Sequence, residues 1–463
     1  MSRINLGVEQ VLALSPDEAS TKAARGLLAP SRWPLLGAHD AAVWGECQGS
    51  GSKPYQTQVD VSGAALSFRC SCPSRKFPCK HGLALLLLQA QDASRFTAAE
   101  PPWVAQWLAA RKERVEKQEA KAATPPPSVD LVASAKREAQ RWARMAQGAQ
   151  ELALWLDDLS RKGLATLTGA ADESWNKMAA RMVDAQAPGL GQRLLQAAAV
   201  VGRGADWPAR LLVHLGGLQL LVDAVAQVPR LPEALQSDLR QAMGWPIERD
   251  TVVASGARVR DTWQVLAQVQ LEREARLHER RVWLQGRNSQ RMALLLDFAY
   301  AGKAFEHSWS VGAEVAATLA FYPGTDPLRA ILVDTAPATA HATPTGGAAM
   351  EQPWHVLAAR MAANPWAMGW PLCLESVVLQ YGTTAQPWFL RWQDRAQDRA
   401  IVLCMDSDDA WRLLALSGGM PLRVFGEWDG ECLRPLTAWR ADGTTVLWSA
   451  NTMLILTLVG EGA

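Results

Sequence analysis

Three of the 7 cysteines fall at positions 70, 72 and 79, and a histidine follows at 81. Zn²⁺ takes four thiolate or imidazole donors in a tetrahedron, and a structural site leaves no coordination position open. Cys70 and Cys72, one residue apart, can both turn toward one ion. The loop 73–78 then brings back Cys79, and His81 follows as a helix begins. Pro73 and Pro78 stiffen that loop and lower the entropy lost on closing it. The pattern predicts one Zn²⁺ held by Cys70, Cys72, Cys79 and His81. Two other readings of the same residues are buried thiols with a surface histidine, and a redox Cys-x-Cys pair. Against the first, cysteines interleaved with Ser71, Arg75, Lys76 and Lys80 make a poor core. Against the second, Cys79 and His81 would have no role. No Asp or Glu lies between positions 69 and 81, so the knuckle has no general acid or base of its own. The predicted zinc is structural and not catalytic.

Basic residues surround the pattern. Arg69, Arg75, Lys76 and Lys80 lie on or beside the loop, and Lys53 sits in the preceding turn. They could contact phosphates of a nucleic acid, meet a protein partner, or support a thiolate-rich site of negative formal charge. All three readings stay open at the level of sequence. Phe77 is too isolated to act as a base-stacking platform.

Other candidates are weaker. His214 sits on an apolar helical stretch and reads as a core histidine. Asp406, Asp408 and Asp409 resemble a carboxylate cluster, but Ser407 or Asp408 as a helix cap explains them. Cys373, Cys404 and Cys432 lie in apolar, strand-like contexts and read as small hydrophobes. The chain has no phosphate loop, no dinucleotide-type glycine pattern and no nucleophile elbow.

Ser15-Pro16-Asp17-Glu18 predicts a helix running to about Arg25 and stopping at Gly26. Strands are predicted at 41–47, 55–61 and 65–70, a three-strand meander delivering the chain to Cys70. After His81, GLALLLLQAQ predicts an apolar helix that buries against this sheet. The unit spans residues 1–95. Residues 96–128 read as a linker, with a solvated mixed-charge helix at 103–121 broken by Thr124-Pro125-Pro126-Pro127-Ser128. Residues 129–275 read as a helical domain, with Val132, Ala135, Ala139, Trp142 and Ala146 at three- and four-residue spacing. Residues 276–463 read as an α+β domain. There GRNSQ turns one hairpin, and two Asp-Gly turns mark others. The fold class is therefore multidomain α+β: a small ββα-type zinc module, a central helical bundle and a C-terminal, mainly antiparallel region.

Lys and Arg number 47 against 46 Asp and Glu, so any nucleic-acid role needs a local patch. The 21 tryptophans, spread from Trp33 to Trp448, read as core and interface anchors. The apolar stretch 211–228 is interrupted by His214, Gln219 and Asp223, which argues against a membrane span. The start of the chain has no signal-peptide layout, and the scattered cysteines do not read as a disulfide framework. A cytoplasmic location is expected.

With its hairpin entry and apolar exit helix, the C-x-C-x6-C-x-H pattern resembles the SWIM zinc finger. WGECQGSGSKPYQTQVDV and FRCSCPSRKFPCKHGLALLLL are similar to the corresponding text of bacterial SWIM zinc finger family proteins of about this length. The resemblance covers residues 10–90 and makes Cys70, Cys72, Cys79 and His81 the zinc ligands. It implies binding of protein or DNA in place of a reaction. It also implies an assembly role beside MoxR-type AAA ATPases and von Willebrand A-type proteins. The expectation is a non-enzymatic, zinc-binding interaction protein, with DNA or RNA binding as the alternative and an enzyme hidden in 276–463 as a third reading.

Overall fold

The structure is a computed structural model. It describes residues 8–450 except 16–17, 50, 52, 63–65, 75–77, 124–130, 165–166, 168–172, 275–276, 301–304, 306, 308, 336–352, 384–387, 395–396 and 444.

The N-terminal module opens with helices α1 (Val8–Ala13) and α2 (Glu18–Arg25). Strands β1 (Leu35–Ala38), β2 (Ala42–Cys47), β3 (Tyr55–Asp60) and β4 (Ser67–Cys70) form an antiparallel sheet in sequential order. The sheet has one strand more than the predicted meander, because β1 is a short run ahead of the His39–Asp40 turn. Helix α3 (Lys80–Gln91) lies across it, burying every residue from His81 to Leu88. A helix apolar all round must be enclosed, and α1, α2 and the sheet enclose it. Helix α4 (Pro102–Ala123) is the mixed-charge helix, yet its first turns are docked and not solvated. Val104, Trp103 and Leu108 pack on Trp44, and Arg111 Nε donates to Asp60 Oδ2 at 2.7 Å. The Pro-rich break at 124–128 lies outside the described residues.

Helices α5 (Leu131–Lys162), α6 (Glu173–Asp184), α7 (Pro188–Val200), α8 (Trp207–Ala226) and α9 (Glu233–Met243) form the bundle. Its core includes Leu152, Trp175, Met182, Leu194, Leu211, Leu218 and Leu239. By length and composition α8 is apolar enough to cross a membrane, despite His214, Gln219 and Asp223. In this fold its buried stripe of Leu211, Leu218, Leu221 and Val225 faces the bundle core.

The helical pattern ends at helix α10 (Arg249–Ser255), well before the expected boundary at 275. Strand β5 (Ala257–Glu274) follows, then β6 (Leu277–Gly286), β7 (Met292–Tyr300), β8 (Glu314–Phe321) and β9 (Arg329–Thr335). The alternation of β5 is easily missed because a bulge between Val265 and Ala267 shifts its phase and both its faces are covered. These strands close a barrel in the order β5-β6-β7-β9-β8, with β7 and β9 parallel and the other pairs antiparallel. This is the Greek-key strand order of an OB-type barrel. Trp263, Val265, Val282, Leu284, Leu295 and Phe321 fill its interior.

The last unit carries helix α11 (Pro353–Ala363), strands β10 (Trp370–Tyr381), β11 (Trp388–Asp394) and β12 (Gln397–Val402), helix α12 (Ser407–Ser417), and strands β13 (Leu422–Trp428), β14 (Leu433–Arg440) and β15 (Val446–Ser449). They form a sheet in the order β12-β11-β10-β13-β14-β15. A bulge between Leu374 and Val377, with Ser376 at φ 53°, lets one half of β10 pair with β13 and the other with β11. The sheet packs on the outer side of the barrel, where Leu266, Val269, Leu271, Trp283 and Leu294 meet Leu372, Val424, Phe425 and Leu436. One carboxylate fastens that interface: Glu427 Oε1 accepts from Arg281 Nη2 at 2.7 Å and from Trp283 Nε1 at 2.6 Å.

Candidate metal centre

Two elements aim the four donors. The β3–β4 register sets Cys70 opposite Thr57, whose Oγ1 lies 3.2 Å from Cys70 Sγ. Ser71 extends that edge: its N–H donates to Gln56 O, and its Oγ accepts from Gln56 N, both at 2.9 Å. Cys72 therefore leaves the strand at a fixed angle. Cys79 is the N-cap residue of α3 in extended conformation, and its carbonyl accepts the first helical bond from Leu83 N. His81 then sits in the first helical turn, 4% exposed. The Tyr55 ring stands beside it at 4.9 Å. Gly82 lets the helix approach the sheet, since a Cβ there would lie 2.8 Å from Phe68 Cδ1.

The four ligand atoms all lie within 4.8 Å of one another, and Cys70 Sγ stands 3.8 Å from His81 Nδ1. A Zn²⁺ tetrahedron with the usual Zn–S and Zn–N bonds has edges of about 3.5–3.8 Å. The donor set, three thiols and one imidazole, is one that Zn²⁺ favours, and four donors close the shell. Cys70, Cys72, Cys79 and His81 are thus positioned to bind one zinc ion, as the pattern predicts.

Without the ion the donors perturb one another. Hydrogen bonds from Cys70 and Cys79 hold the Cys72 thiol far below its ordinary range. Hydrogen bonding to Cys70 and Cys72, with burial, pushes Cys79 far above it. Burial disfavours a charged His81, but hydrogen bonds and the charge of Cys70 and Cys72 outweigh it and raise the imidazole to about 9. Such a cluster stores protons in place of a cation, so zinc binding expels them.

The basic residues around the knuckle that the structure describes are all exposed. Arg69 lies on the face of β4 opposite Phe68 and Cys70 and is exposed. Lys80 is exposed at the start of α3, and Lys53 is exposed in the turn before β3. Arg75 and Lys76 lie outside the described residues. Sequence reasoning missed Cys47, which is fully buried at the end of β2 and paired with Tyr55. Burial first, then the nearby Cys70, pushes its thiol up to about 11, so it stays a neutral neighbour of the site. Its phase in β2, shared with Val43, was the available signal.

Three lesser expectations are corrected. His214 is no core histidine: its side chain is 33% exposed and faces Glu431 at 3.5 Å. The cap of α12 is Asp406, whose Oδ1 accepts from Asp408 N at 2.8 Å. Cys404 and Cys432 are not separate small hydrophobes but a disulfide, brought together by sheet closure across a separation of 28 residues.

A closed Cys₃His knuckle between a hairpin and an apolar helix defines the N-terminal module as a zinc finger. Residues 55–89 match the model of the SWIM zinc finger, and residues 140–243 match that of the SWIM-associated four-helix bundle domain. The chain carries a SWIM zinc finger and its associated bundle in one polypeptide. No curated protein and no solved structure matches it.

Proposed function

We propose that this protein is a non-enzymatic, cytoplasmic scaffold in which the zinc-braced finger and its bundle hold a surface for protein partners. The observation that carries this reading is the outer side of α8. Leu212, Val213 and Leu220 there are 58%, 75% and 46% exposed, and Gly216 and Gly217 have open space above them. An exposed apolar strip fits another protein's apolar face and offers nothing to phosphates. A four-donor zinc site leaves no position for a substrate, which supports a structural metal. The resemblance to bacterial SWIM proteins supplies the partner class, MoxR-type ATPases and von Willebrand A-type proteins.

Nucleic-acid binding is the competing reading. OB-type barrels hold oligonucleotides on the face of their second and third strands. Here that face presents Arg281 and Trp283 to Glu427, a geometry that supports a filled, internal role for the barrel. Affinity capture with tagged protein tests the two readings. Partners should survive nuclease treatment and be lost with Val213→Asp. Partners that vanish with nuclease and persist in Val213→Asp would replace the scaffold reading with the nucleic-acid one.

A further inference from the structure

The Cys404–Cys432 pair lies at a mechanical junction. Past β12 the chain crosses to the start of β14, where Leu403 forms a parallel bridge with Leu433 and Cys404 N donates to Leu433 O at 2.9 Å. The disulfide fastens this closure, with the two Cα atoms 5.8 Å apart. Cys432 ends the tight turn joining β13 to β14. In that turn Asp429 Oδ1 accepts from the N–H groups of Glu431 and Cys432, each at 2.9 Å, and Gly430 adopts φ 102°. Glu431 leaves the same turn toward the bundle, where its carboxylate meets Arg210 Nη1 at 3.2 Å and His214 Nε2 at 3.5 Å on α8. The bond that closes the sheet therefore also sets the position of the residue that docks the sheet on the SWIM-associated bundle.

We propose that Cys404 and Cys432 form a thiol–disulfide exchange site whose oxidised state holds the β13–β14 turn, through Glu431, against α8. The reacting partner is a low-molecular-weight thiol or its disulfide, such as glutathione. Cys404 is the more exposed residue of the pair, half-buried where Cys432 is 6% exposed. An incoming thiolate attacks Cys404 Sγ, forms a mixed disulfide, and releases Cys432 as a thiolate that takes a proton. A second thiolate attacks the incoming sulfur of the mixed disulfide and frees Cys404. Two thiols become one small disulfide, and the protein gains two electrons and two protons. Asp429 Oδ2, 3.7 Å from Cys432 Sγ, disfavours the leaving thiolate and so favours the oxidised state. The finger is a separate thiol system: its four donors form their own cluster around β4 and α3.

The test uses the full-length, zinc-loaded chain equilibrated in glutathione buffers of graded ratio. Differential alkylation with intact mass reads the state of the cysteines, and hydrogen exchange reads residues 207–216. With oxidised glutathione in excess, Cys404 and Cys432 should resist alkylation and the mass should fall by two hydrogens, with zinc retained. Reduction should speed exchange at the start of α8 by roughly five-fold, through loss of a local docking contact, and leave 80–91 unchanged. Cys404→Ser with Cys432→Ser should show the fast rate in every buffer. Glu431→Gln, which keeps the disulfide, should show it too, and this variant keeps the test open if the double serine variant folds poorly. A pair alkylated in every buffer would overturn the proposal. So would α8 exchange that ignores the state of the bond, or a second zinc taken up by the reduced pair with Asp429.

Discussion

The finger and the barrel–sheet unit solve the same problem at different scales. The finger's core rests on Leu83 to Leu88, Val43, Val59 and Phe68, a small set for a four-stranded sheet and its helices. The barrel and sheet share a far larger core, built from both faces of β5 and both halves of β10. A small unit buries too little surface to be secure and needs a metal or another staple. A large one carries polar anchors such as Glu427 on top of its packing. In the finger the chemistry holds the fold, whereas in the barrel–sheet unit the fold holds the chemistry.

Metal removal should separate the two units most sharply. Chelation, or Cys79→Ser, removes metal-coupled folding free energy on the order of 10 kcal/mol. Hydrogen-exchange protection over α3 and β4 should collapse, with that of β5–β7 and β13–β14 unchanged. Equal loss in both units would erase the distinction.

Glu427→Ala is the reverse cut. It removes the acceptor that the Trp283 indole shares with Arg281, which is 19% exposed and is left with Glu279 Oε1 at 3.4 Å. Urea unfolding should show a loss of about 1–3 kcal/mol in the barrel–sheet transition. Zinc content, read by metal analysis, should stay at one ion per chain.

Gly82→Ala probes the finger's packing with its ligands intact. The added methyl group meets Phe68, so a cost of about 1–3 kcal/mol is expected in the finger's melting, with zinc still bound.

The mildest probe is pH. In the metal-free molecules that still hold the folded finger, the His81 pKa is raised from 6.5 to about 9. Stability from its protonation is then full below pH 6.5 and is lost as pH rises through about 9. The zinc-loaded finger should behave oppositely, losing metal as acid protonates its ligands. A titration monitored by the His81 ring resonances, with and without zinc, reads both slopes. Parallel slopes would mean that the ion is not bound through His81.

The two units also differ in how much of them is legible in the sequence. The knuckle is local: its ligands, the hairpin entry and the apolar helix fall within one short stretch, and residue type with spacing suffices to read them. The helices of the bundle are legible from periodicity, although not their arrangement. The barrel was not. Its first strand hides its alternation behind a bulge, and its closing β7–β9 pair is parallel, a pairing no turn signal announces. Nor does a single residue of α4 reveal that Arg111 will find Asp60.

By itself, the sequence determined the four candidate zinc ligands and the order of the units, because donor chemistry and helical period act over neighbouring residues. Only the tertiary structure decided that Arg281 and Trp283 share Glu427, that Asp238 accepts from Thr325 between bundle and barrel, and that Cys404 meets Cys432. Each of these pairings joins residues that are distant in the chain. Their meeting is set by how sheets close and pack, and burial then makes an unpaired partner costly.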